Sequence, residues 1–221
     1  MTSDTWTAVD TYVTGELLPA DPALDGAQDA SRAAGLPAIS VSAAQGKFLH
    51  LLARIQGARK VLEIGTLGGY STIWLARALP PDGRVITLEY DPRHADVARA
   101  SIARAGLADR VDIRVGRAIE TLPALTAEAP FDLVFIDADK PSTTEYFNWA
   151  LKLSRKGTVI VIDNVVRNGG IVDASPDADA QAMRDFLAVL GADRRVDATA
   201  IQTVGIKGYD GFAIAIVDTP A

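Results

Sequence analysis

The sequence of 221 residues contains no cysteine. Disulfides, zinc–thiolate sites, iron–sulfur clusters and cysteine nucleophiles are excluded together, and the absence accords with a reducing compartment. Histidine occurs only twice, too rarely for a His-rich metal site or a Ser-His-Asp triad. Any metal must therefore be held mostly by oxygens. Aromatic residues make up 6%, so aliphatic side chains must build the core. Basic residues number 22 against 28 acidic ones, giving a net charge of −6, and they are scattered. A nucleic-acid binder needs a concentrated basic surface, which this chain lacks. No run approaches the roughly 20 apolar residues that span a bilayer. The opening stretch has no basic region leading into an apolar one, so no secretory signal is read and the expected location is the cytoplasm, away from membranes. What is present is an ordinary globular mixture, 48% hydrophobic and 23% charged. Its length predicts one domain, with a helical region over 1–58 and an α/β core over 59–221.

Periodicity orders the chain. Thr5 to Leu18 reads as an amphipathic helix, and Pro19 to Pro37 as loop plus a short helix. Ser42 is placed to cap a helix running through Ile55. From Arg59 onward, short aliphatic runs alternate with helical segments. The runs are Lys60–Ile64, Arg84–Glu89, Val111–Val115, Asp132–Ile136 and Thr158–Ile162. Strands apolar nearly throughout are those buried on both faces of a parallel sheet. Helices are expected near Ser71–Leu79, Pro92–Ala105, Ala118–Leu125, Thr143–Leu153 and Asp179–Leu190. Two last strands, Thr199–Ile206 and Phe212–Val217, flank a Gly-rich link at 207–211 and predict an antiparallel hairpin. The fold class is doubly wound α/β, a mostly parallel seven-stranded Rossmann-like sheet with N-terminal helices.

Glu63-Ile64-Gly65-Thr66-Leu67-Gly68-Gly69-Tyr70-Ser71 follows the first strand. A Gly-rich strand-to-helix turn lets a ligand approach the backbone closely. The dinucleotide pattern G-x-G-x-x-G is absent, which argues against a nicotinamide or flavin enzyme. The second strand ends in Glu89, the position from which an acid reaches ribose hydroxyls.

The fourth strand opens into Asp137-Ala138-Asp139-Lys140 and the fifth into Asp163-Asn164. Parallel strands bring both groups to one carboxyl edge, where ligands bind in open α/β sheets. Asp137, Asp163 and Asn164 offer three oxygens, a donor set for Mg²⁺, Mn²⁺ or Ca²⁺. Each Asp alone could equally be a helix cap. Lys140 is a candidate general base toward a hydroxyl, with a surface lysine paired to Asp139 as the plain alternative.

Together these segments resemble the cation-dependent, S-adenosylmethionine-dependent O-methyltransferases of the catechol and caffeoyl-coenzyme A type. The carriers are the stretch from Ser42 to Leu49, the Gly-rich turn from Val61 to Ser71, Phe135 to Lys140, and Ile162 to Val165 with Asn168-Gly169. The resemblance implies S-adenosylmethionine contacts at Val41, Glu63, Gly65, Ser71, Glu89, Ala118, Asp137 and Asp139. It implies metal ligands at Asp137, Asp163 and Asn164, a base at Lys140, a phenolic small-molecule substrate and a homodimer. Arg167 stands where many relatives carry an aromatic residue. Arg32 is the only basic residue of 19–37, which favours a free catechol-type phenol over a coenzyme A thioester with its phosphates. The alternatives are a metal-independent methyltransferase on the same fold, a nicotinamide oxidoreductase and a non-catalytic binding protein.

Overall fold

The computed structural model describes residues 2–220. Seven strands form one sheet in the order β3-β2-β1-β4-β5-β7-β6. The strands are β1 (Lys60–Ile64), β2 (Arg84–Glu89), β3 (Val111–Val115), β4 (Phe131–Ile136), β5 (Ser154–Asp163), β6 (Val196–Gly205) and β7 (Gly208–Val217). The first five are parallel. The chain then closes with β7 antiparallel to both β5 and β6.

Side-chain alternation divides the core between the two faces of the sheet. Leu62, Ile64, Val134, Ile136, Ile160 and Ile162 pack with Phe147 and Phe186. Those two come from α7 (Thr143–Lys152) and α8 (Ala178–Ala192). Val61, Leu133, Phe135 and Val161 pack on the other face with Leu49, Ile73 and Leu75, from α3 (Ala43–Ile55) and α4 (Tyr70–Ala78). At the amino edge, Asp132 Oδ2 accepts the Arg59 and Lys60 amides at 2.8 and 2.9 Å, and its Oδ1 accepts Arg155 Nη2 at 2.6 Å. Burial pushes this carboxyl upward, but the two amides and the guanidinium outweigh it and hold the group below the ordinary carboxylate range.

Several elements differ from the sequence reading. β3 is an edge strand with no buried residue, because β2 covers only one of its sides. The segment read as loop plus short helix is α2, Pro22–Ala33. Pro22 begins it rather than breaking it, since a first-turn residue has no amide to lose, and Asp21 caps it through the Ala23 and Leu24 amides. The helix expected over 118–125 splits into α6 (Ala118–Thr121) and a 3₁₀ segment, Leu122–Glu128, where Pro123 lacks an amide. The terminal hairpin is longer and its turn tighter: Gly205 pairs with Gly208 and Val204 with Tyr209, leaving Ile206 and Lys207 as the turn. α1, Ser3–Leu17, is a helix as expected but has no buried residue. The remaining helix, α5, spans Pro92–Arg104. Among the described residues no helix is long and apolar enough to cross a membrane.

Candidate active site

The order of the strands reverses between β1 and β4, and a crevice opens at the carboxyl ends of strands on either side of such a switch. A cavity of about 850 Å³ lies there. Val41, Gly65, Ser71, Glu89, Ala118, Asp137, Asp139, Lys140 and Asn164 all line it. Glu63 and Asp163 are not among the lining residues; both are buried next to residues that are.

β1 delivers the chain to Gly65, whose φ is +102°. A Cβ added there would lie 1.9 Å from the Asp137 carbonyl oxygen. Only glycine lets the β1 turn and the end of β4 approach so closely. Asp137 N donates to the Ile64 carbonyl at 2.8 Å and Gly65 N to that of Leu88 at 3.0 Å, so the three strand ends are tied together. Glu89 closes the loop from the β2 side. Its Oε2 accepts the Thr66 and Leu67 amides at 3.2 and 2.7 Å, and its Oε1 accepts that of Asp91 at 2.9 Å.

Glu63 is fully buried beneath this loop, a placement different from the expected cofactor contact. Three hydroxyls donate to it: Ser71 at 2.6 Å, Thr72 at 2.5 Å and Thr87 at 2.7 Å. Thr66 Oγ1 lies 2.6 Å from Thr87 Oγ1. Because Thr87 gives its proton to Glu63, Thr66 must be the donor of that pair. Burial raises the Glu63 carboxyl to about 7 against these three bonds. Glu63 thus secures the first turn of α4 to β1 and β2, and Ser71 bridges it to the cavity.

Ile136 and Ile162 are register partners in β4 and β5, so Asp137 and Asp163 leave neighbouring strands at the same level. Asp163 is buried. Its Oδ2 accepts Gln45 Nε2 at 2.7 Å and its Oδ1 accepts the Asn164 amide at 2.8 Å. Burial, and then the charge of Asp137, push its carboxyl well above the ordinary range. Lys140 is buried as well; its Nζ lies 3.3 Å from Asp137 Oδ1 and 3.3 Å from the Asp163 carbonyl oxygen. Its partner is Asp137, not the Asp139 of the plain alternative. Among the described residues no three His, Cys, Asp or Glu side chains cluster as a metal site would; here the third donor would be the amide of Asn164. Two neighbouring carboxyl groups, one of them buried and followed directly in the chain by a cavity-lining asparagine, are a donor set that suits a hard divalent cation.

Asp139 accepts the Tyr146 hydroxyl and the Ser142 hydroxyl, each at 2.5 Å. Tyr146 is buried but also lines the cavity; burial and Asp139 raise its phenol far above the usual value. His94 brings Nδ1 to 3.4 Å from Glu89 Oε1. Gln45, Thr66, Thr87 and His94 were given no role in the sequence reading. Gln45 and Thr66 had a signal, lying inside the Ser42–Leu49 and Val61–Ser71 segments that carry the resemblance.

Residues 21–214 match the family model described as O-methyltransferase. The chain is 60% identical over 209 residues to the catechol O-methyltransferase of Mycobacterium tuberculosis, covering 95% of this chain and 94% of that protein. The O-methyltransferase from Bacillus cereus, solved in complex with SAH, superposes with a TM-score of 0.96 at 56% identity, covering 98% and 100% of the two chains. That from Streptomyces achromogenes involved in tomaymycin synthesis, in complex with SAM, gives 0.95 at 53% identity, covering 99% of each. Sheet order, cavity and these likenesses define a Rossmann-like enzyme of the methyltransferase class. Within that class, the chain belongs to the O-methyltransferase family.

Proposed function

We propose that the protein is a divalent-cation-dependent O-methyltransferase that moves the methyl group of S-adenosylmethionine to one hydroxyl of a small vicinal-diol phenol. One observation carries the reading. A single cavity joins the Gly65 turn and Glu89 to the Asp137, Lys140 and Asn164 edge. The names of the relatives, a catechol O-methyltransferase and enzymes solved with SAH or SAM, support it.

The wall divides into two halves. Val41, Gly65, Ser71, Glu89, Ala118 and Asp139 would hold the methyl donor, with Glu89 facing its ribose. Glu63 keeps Ser71 and the loop in place from behind. Asp137, Asp163 and Asn164 would hold the cation, most readily Mg²⁺, with Gln45 fixing the direction of the Asp163 carboxylate. When bound, the donor supplies an activated methyl group on a sulfonium sulfur, and the cation supplies positive charge that orients two vicinal oxygens and eases loss of a proton. Lys140 Nζ is the group placed to take the proton of the attacking hydroxyl. Transfer would join the acceptor oxygen to the methyl carbon, break the carbon–sulfur bond and release the donor as a neutral sulfide. Oxygen, carbon and sulfur must be in line, so the closely tied β1, β2 and β4 ends contribute through placement. The same reading makes the chain a cytoplasmic homodimer. Exposed Tyr12 and Leu17 of α1 and Ile201 and Val204 of β6 form apolar surface open to a second copy.

The test is turnover of catechol with S-adenosylmethionine. Excess chelator should abolish it and Mg²⁺ or Mn²⁺ restore it, while Asp163→Ala should lose metal-supported turnover but keep cofactor affinity within a small factor. Full activity in excess chelator would favour the metal-independent alternative.

A further inference from the structure

Arg167 lines the same cavity, and the reaction above gives it no task. Its loop is rigid. Asp210 Oδ1 accepts the amides of Val166 at 3.0 Å and Arg167 at 2.9 Å. Arg167 itself holds a φ of +53°, a conformation that side-chain-bearing residues adopt mainly where the surroundings impose it. Asp179 accepts Nη2 at 3.0 Å and so restrains the guanidinium. Yet Nε is buried and, among the described residues, has no hydrogen-bond partner. A buried N–H without an acceptor is costly, and a small turn of the part-exposed guanidinium toward the cavity would let a ligand supply one.

The other basic side chains of the wall have partners of their own. Lys140 faces Asp137 and the Asp163 carbonyl. His94 faces Glu89. Arg117 is mostly exposed, 3.6 Å from Glu120. Glu89, Asp137 and Asp139 make the rest of the lining acidic, so an anion entering it needs a compensating cation. Arg167 follows Asn164 by three residues, a span of at most about 11 Å even for extended chain. A small aromatic acceptor with its hydroxyls near Asn164 therefore lies within reach of the guanidinium.

We propose that Arg167 is an anion subsite of the acceptor pocket, and that the preferred acceptor is a vicinal-diol phenol bearing a carboxylate. The inference rests on the function proposed above. A guanidinium suits a planar carboxylate, since it has five donors in a fixed fork and Asp179 occupies one position. The carboxylate of the methyl donor is the other possible source of such an anion, and the experiment separates the two.

Steady-state kinetics would compare catechol with 3,4-dihydroxybenzoate for the wild type, Arg167→Gln and Arg167→Lys. The wild type should favour the carboxylated acceptor. In Arg167→Gln the ratio of kcat/KM for the carboxylated over the neutral acceptor should fall about tenfold or more, chiefly through KM. Arg167→Lys should recover part of it, because charge is kept but the fork is lost. An unchanged ratio, or a variant whose main defect is a raised KM for S-adenosylmethionine, would overturn the proposal. Calorimetric binding of 3,4-dihydroxybenzoate in the presence of S-adenosylhomocysteine tests the subsite independently of turnover. If no catechol is methylated, the functional reading fails. The subsite still stands if Arg167→Gln weakens this binding and falls if it does not. A melting temperature within a few degrees of the wild type shows that the loop persists in the variants.

Discussion

Replacing Glu63 by Gln removes a titrating group and leaves the side chain nearly the same shape. In the folded chain this carboxyl keeps its proton up to about 7, against 4.5 for an unperturbed glutamate. The cause is full burial, which three hydroxyl donors only partly offset. Between those two values the folded state binds a proton that the unfolded state has released, so stability falls as pH rises through the window. Below it both states are protonated; above it both are ionised and the loss is complete. A difference of about 2.5 pKa units corresponds to about 3 kcal/mol. Glu63→Gln lacks this dependence. Denaturant unfolding in the presence of chelator, from pH 5 to pH 8, should show the variant gaining about 2 kcal/mol on the wild type. Other groups cancel in that difference. Parallel curves would refute the reasoning, because they would mean that Glu63 is ionised, and compensated, in the folded chain throughout.

Gly65→Ala should cost about 3 kcal/mol or more, since its Cβ would meet the Asp137 carbonyl and its φ of +102° is hostile to alanine; a melting temperature within two degrees of the wild type would contradict this. Asp210→Ala leaves the Val166, Arg167 and Gly211 amides without their shared acceptor. A loss of about 2–3 kcal/mol is expected in denaturant unfolding, with faster amide exchange at these positions.

Local pattern carried the parallel strands well. β1, β2 and β3 begin and end where their aliphatic runs do, because Gly and charged residues bound each run. Burial was less legible. Val111–Val115 looks like a central strand until the sheet order puts it at an edge. Pro22 and Pro123 show the limit of treating proline as punctuation, since one starts a helix and the other tightens one. That Asp137, Asp163 and Asn164 come together at the carboxyl edge was legible from strand-end logic alone. Position within the wall was not. Glu63 alternates with Val61 toward the α4 side, and its partners come from residues 71, 72 and 87, which no local period connects. Gln45 lies 118 residues from Asp163, so only the packing of α3 across the sheet edge reveals that bond.

The two edges of the sheet treat their acids in opposite ways. Asp132 at the amino edge is met by backbone amides and a guanidinium, while Asp163 at the carboxyl edge stays under-compensated. The domain is therefore anchored at one end and left responsive at the other. A cation or methyl donor that binds only the folded chain adds stability by mass action, about 2.7 kcal/mol at a hundred times its Kd. In a cell, where proteases remove unfolded chains, the standing amount of this protein would follow the supply of its ligands. On the function proposed above, the carboxyl edge would link how long the molecule lasts to whether it has anything to methylate with.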